Sequence, residues 1–98
     1  MKGIKDFQKL MGEIYIHRDL KRGDKNTMLW LISEVGEFAK ALIKNNKQDL
    51  EDEAADVLAW LCSEGNLIGV DLEKAAIRKY HGKCPKCGYI PCKCDNNF

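Results

Sequence analysis

From Ile4 to Tyr80 the apolar residues of this chain recur at steps of three and four, and nowhere do they alternate as a half-buried strand requires. That periodicity restricts the chain to helices. Ile4, Phe7, Leu10, Met11, Ile14 and Tyr15 share one face of a first helix expected from Ile4 to about Arg18. Asp19 to Asn26, with Gly23 inside it, reads as a polar connection. Thr27 is the expected N-cap of a second helix reaching about Lys44, with Met28, Leu31, Ile32, Val35, Phe38, Ala39 and Leu42 on its apolar face. Asn45 to Gln48 reads as a turn. Asp49 then caps a third helix to about Asn66, whose acidic first turn suits the positive end of the helix dipole. Gly65 and Gly69 bracket a break, and Asp71 caps a short fourth helix from Leu72 to about Tyr80.

Beyond Gly82 the chain turns to Cys, Pro, Lys and Gly, too poor in large apolar residues to fold by burial. The expected architecture is therefore all-α. A four-helix domain spans residues 1–81, and a short irregular cysteine-rich C-terminal tail spans 82–98. Ninety-eight residues leave room for one core, hence one principal site. Sixteen Lys and Arg balance fifteen Asp and Glu to a net charge of +1, so no broad basic field is available to coat nucleic acid. No apolar run is long enough to cross a bilayer, and Met1 to Leu20 is broken by charges instead of carrying a signal-peptide core. A cytoplasmic location is expected, without a membrane or nucleic-acid partner.

The chemistry concentrates in two acidic pairs. Glu34 and Glu37 lie three apart on the second helix, sharing a stripe with Trp30 and Ala41; Glu53 and Asp56 lie three apart on the third, with Trp60 and Leu67. A short turn makes the two helices antiparallel. Asp56 sits within Ala54-Ala55-Asp56-Val57-Leu58-Ala59-Trp60-Leu61, where a purely structural helix would gain from another aliphatic residue. Partly buried carboxylates side by side need a cation, and an all-oxygen set selects a hard one, Mg²⁺ or Mn²⁺. Mg²⁺ commonly bridges carboxylates to substrate phosphates, so a nucleotide or other polyphosphate is the natural ligand. Di-iron bundles place a histidine three residues after a glutamate; His17 and His81 lie outside both acidic pairs, which disfavours redox iron. The competing explanation is a solvated acidic face. Under it the chain is a non-enzymatic helical assembly or regulatory module with a zinc-binding interaction tail.

Leu31-Ile32-Ser33-Glu34-Val35-Gly36-Glu37-Phe38-Ala39, then Glu53-Ala54-Ala55-Asp56-Val57-Leu58-Ala59-Trp60, then Asn66-Leu67-Ile68-Gly69-Val70-Asp71-Leu72-Glu73-Lys74-Ala75 resemble the MazG-like all-α nucleoside triphosphate pyrophosphohydrolases. The resemblance covers about residues 5 to 80. It implies a four-helix MazG-like bundle hydrolysing a nucleoside triphosphate, unmodified or modified, to the monophosphate and pyrophosphate. Mg²⁺ would be held by Glu34, Glu37, Glu53 and Asp56, and Glu37 or Glu34 would orient or deprotonate the attacking water. It also implies Asn66 near the nucleotide, Lys79 and less directly Arg18 or Arg22 at the outer phosphates, and assembly as a homodimer or homotetramer. Trp30 or Phe7 would stack on the base, although aromatic residues at helical spacing more often pack in a core. The chain departs from the family in carrying Ser33 and Asp52 where consecutive glutamates are common.

In the tail, Cys84-Pro85-Lys86-Cys87 and Pro91-Cys92-Lys93-Cys94 supply four thiolates suited to tetrahedral Zn²⁺. The one-residue gap between Cys92 and Cys94 is tighter than usual. It leaves open a site shared between subunits, His81 as a replacement ligand, or redox-active thiols or disulfides. Cys62, alone in an apolar segment, reads as a small core residue.

Overall fold

The computed structural model describes residues 2–95, and among them four helices and no strand: α1 (Gly3–Arg22), α2 (Asp24–Lys44), α3 (Lys47–Ile68) and α4 (Leu72–Lys79). The all-α expectation holds. α3 is the central element, packed against α2 along an antiparallel hairpin and against α1 on another side, while α4 lies on α1. None of the helices is long and apolar enough to cross a membrane among the described residues.

The first connection differs from its sequence expectation. α1 runs on to Arg22 and α2 starts at Asp24, leaving Gly23 alone between them. Gly23 adopts φ 84°, ψ 162°, a region essentially open only to glycine, and so turns the chain in one residue. Thr27 is not an N-cap. It is fully buried in the first turn of α2, its hydroxyl donating to the Gly23 carbonyl at 2.7 Å and accepting from Arg22 Nε at 3.0 Å. Arg22 also pairs with buried Asp19. The polar residues that resemble a loop in sequence thus pair with one another at a helix junction, with Asp19 Oδ2 left buried and without a hydrogen-bond partner.

Asn45, in the left-handed conformation at φ 57°, closes α2 by donating its N–H to the carbonyls of Ala41 and Leu42. The cap of α3 is Asn46, not Asp49: the Asn46 side chain accepts from the Asp49 N–H at 3.1 Å. Because Asn45 ends α2 abruptly, α3 can begin two residues before Asp49. α3 continues past Asn66 to Ile68 and ends at left-handed Gly69. Asp71 caps α4 as expected, accepting from the Lys74 N–H at 3.0 Å.

Buried Gln8 ties α1 to the α3–α4 connection. Its amide nitrogen donates to the Val70 carbonyl at 2.7 Å and to Asn66 Oδ1 at 3.2 Å, and its Oε1 accepts from the Leu72 N–H at 3.0 Å. Gly65 makes this possible, since a Cβ there would lie 2.8 Å from Gln8 Nε2 and 3.0 Å from the Val70 oxygen. Among the described residues the buried apolar set is small, Met11, Ala41 and Cys62. On α2, Leu29, Ile32 and Ile43 share a stripe roughly opposite Thr27, Glu34 and Ala41 and are exposed by 64%, 60% and 85%.

Candidate metal centres and active site

The antiparallel α2–α3 hairpin sets Glu34 against Glu53 and Asp56. One carboxylate oxygen from each of the three lies within 4.8 Å of the others, with Glu34 and Glu53 half-buried and Asp56 exposed. Glu53 Oε2 is buried and has no hydrogen-bond partner. Burial, and then the charges of Asp56, Glu53 and Glu37, push the Glu34 carboxyl above its ordinary value of 4.5. Among the described residues no ion pair joins a basic side chain to these three acids, which together form a site with excess negative charge. Their oxygens are the hard ligands that Mg²⁺ or Mn²⁺ prefers, so the residues fit such an ion.

Glu37, one turn beyond Glu34, falls outside this trio, and its carboxylate lies 3.7 Å from Lys40 Nζ. Trp30 precedes Glu34 by one turn, and Trp60 follows Asp56 by one turn. In an antiparallel pair those positions coincide, and the indoles stack with centroids 5.8 Å apart and planes 16° from parallel. The Arg22 guanidinium lies over the Trp60 ring, 4.6 Å from its centroid. Trp30 keeps about half its surface exposed and borders a shallow hollow with Asn26, Leu29 and Ser33.

A cleft of about 220 Å³ opens beside the acids, with Tyr15, Arg18, Arg22, Asp56, Trp60 and Ser63 in its wall. It brings two arginines to the same cavity as Asp56. Of the other residues expected at the site, Asn66 and Lys79 are not in the cleft wall. Asn66 donates to the Gln8 carbonyl at 3.1 Å and accepts from the Gln8 side chain. Lys79, at the end of α4, sits over the Tyr80 ring at 5.6 Å. Glu64 is buried near Asp24 with Oε1 unpartnered; burial first, and Asp24 second, raise its carboxyl above the ordinary value. Sequence reading missed the Asp19–Arg22–Thr27 cluster because it spans a junction taken for a loop. The clue was Thr27 four residues beyond Gly23, the spacing for a hydroxyl to bond back to a carbonyl.

The four tail sulfurs also converge, all within 4.8 Å of one another, with Cys84 to Cys94 and Cys87 to Cys92 each at 3.9 Å. The thiols are free, and His81 is outside the cluster. Backbone N–H groups of Cys87 and Lys86 hold the Cys84 thiol down to about 6, and those of Lys93 and Tyr89 lower Cys87. Cys94 is pushed up to about 12, chiefly by its neighbour Cys92. Cys62, by contrast, is fully buried in α3 and its thiol is raised by burial.

No curated protein matches the chain. The family model for the MazG nucleotide pyrophosphohydrolase domain matches residues 22–88, which include all of α2, α3 and α4 and therefore both acidic pairs. With the helical fold and the carboxylates of its central hairpin, that match shows that the chain belongs to the MazG family of nucleotide pyrophosphohydrolases.

Proposed function

We propose that the protein hydrolyses a nucleoside triphosphate, unmodified or modified, to the monophosphate and pyrophosphate in a reaction dependent on Mg²⁺ or Mn²⁺. The observation that carries this reading is the convergence of Glu34, Glu53 and Asp56 from two helices around a buried oxygen, Glu53 Oε2, that lacks a donor. These three residues, joined by Glu37 on ligand binding, would hold the ion. When bound, it offsets charge on the phosphate oxygens. Glu37 and Glu34 are the groups that orient or deprotonate the attacking water. Exposed Glu37, whose ion-pair partner Lys40 is itself exposed, is the freer of the two to do so. Arg18 and Arg22 share the cleft with Asp56, which favours them over Lys79 as contacts to the outer phosphates. The exposed side of Trp30 offers a stacking surface for the base, and Asn66 acts through the packing of α1 on α3.

A second copy of the chain is proposed to cover the apolar stripe of α2, in a homodimer or homotetramer, and Zn²⁺ to occupy the tail cysteines. The chemistry is tested by pyrophosphate release from a panel of standard and modified triphosphates, with and without Mg²⁺. Turnover should require the ion and fall by about 10²-fold or more in Glu37→Gln and Asp56→Asn. Absence of turnover across the panel by folded, metal-supplied protein would remove the hydrolytic reading.

A further inference from the structure

The tail lacks a core. No residue from Tyr80 to Asp95 is buried, and the segment has neither helix nor strand. Yet its backbone is organised around sulfur. The Cys84 N–H donates to the Tyr89 carbonyl at 3.0 Å, and the Gly88 N–H to the Cys84 carbonyl at 2.8 Å, with Gly88 at a positive φ of 77° closing the turn. The Lys93 N–H points at Cys87 Sγ at 3.3 Å and the Cys94 N–H at Cys92 Sγ at 3.4 Å. Two turns aim their amides at thiols that face one another.

The sulfur separations fit a single tetrahedral metal ion between them. A disulfide brings two sulfurs to about 2.05 Å, far shorter than the 3.9 Å here. Four thiolates around one zinc ion at about 2.3 Å define a tetrahedron with edges of about 3.8 Å. Both 3.9 Å separations match that value. A cluster of several irons spreads its cysteines over different metal atoms and would not draw all four sulfurs within 4.8 Å. We propose that Cys84, Cys87, Cys92 and Cys94 of one chain bind a single Zn²⁺ as a closed tetrathiolate, and that this ion orders the tail from about residue 82 to 95. The ligand set is complete within the chain, so neither His81 nor a second subunit supplies a donor. With all four thiols ionised, the site would carry a net charge of about −2, which the inward amides offset. Having no open coordination position, the ion is structural, and the proposal stands apart from the hydrolytic reading.

The test is metal analysis of the full chain purified under reducing conditions. One zinc per chain is expected, and Co²⁺ exchanged into the site should give the visible absorption of tetrahedral thiolate coordination. Cys84→Ser and Cys92→Ser should fall to near zero zinc while keeping the helical circular dichroism; Cys62→Ser, His81→Ala and Glu37→Gln should retain one. Should the tail variants be insoluble, alkylation of the wild-type chain with and without a chelator replaces them. Four cysteines should be shielded only when metal is present, with mass mapping placing them at 84, 87, 92 and 94. Reduced protein without bound zinc, zinc retained by Cys84→Ser, or zinc lost in His81→Ala would overturn the assignment, whatever the hydrolysis assay shows.

Discussion

At the scale of single residues, a few backbone and side-chain positions carry functions that their neighbours cannot take over. Gly23 is the clearest. Its φ and ψ put it where a Cβ is strained, although no atom lies near enough to clash. Gly23→Ala should therefore cost about 1–3 kcal/mol through the backbone alone, measured by chemical denaturation. Glu34 offers a test of the acidic site that does not require turnover. Its folded carboxyl titrates above the ordinary value of 4.5 because of burial and of Asp56, Glu53 and Glu37 facing it. As pH climbs from 4.5, the unfolded chain releases this proton before the folded chain does, so stability falls through that window and the loss is complete above the raised folded value. Without divalent metal, the melting temperature of Glu34→Gln should fall less than that of the wild type over the same range. Added Mg²⁺ should raise the wild-type value at neutral pH and leave the variant nearly unmoved. Parallel melting profiles for the two proteins would show that the acids do not feel one another.

At the scale of elements, the two hinges of α3 matter most, because α3 carries Glu53 and Asp56 and contacts both α1 and α2. At its start, Asn46 satisfies the Asp49 N–H, and Asn46→Ala should remove about 1 kcal/mol, visible as a lower denaturation midpoint with an unchanged slope. Near its end, Gly65 lets Gln8 reach Val70, Asn66 and Leu72. Gly65→Ala would force Gln8 away and should destabilise by about 1–3 kcal/mol, with faster amide exchange at Leu72 as the specific signature. These boundaries explain how far the elements were readable. Asp71 announces α4 because a short acid before an apolar segment has few other local uses. Asp49 misleads because Asn46, three residues earlier, competes for the same role and wins once Asn45 turns left-handed. Asp19 to Asn26 misleads because charge density resembles a loop when the bonds among Asp19, Arg22 and Thr27 are invisible.

At the scale of the whole molecule, one chain buries few large apolar side chains while α2 presents Leu29, Ile32 and Ile43 outward. A patch of this kind is the mark of an association surface. Replacing Leu29 and Ile32 together by Asp should shift the protein to monomer in sedimentation equilibrium; an unchanged mass would mean that association, if it occurs, uses another face. The helical class, the two acidic pairs on their helices and the four thiols of the tail are readable from the order of residues, since periodicity and spacing are properties of the chain alone. That Glu34 meets Glu53 and Asp56 while Glu37 turns to Lys40, that Asn66 binds Gln8, and that Trp30 stacks on Trp60 emerges only from the packing of the helices. The reason is geometric. Helical period states which side chains share a face, whereas contact across two helices depends on their relative register, and here that is set by Asn45, Asn46 and Gly23 at the junctions.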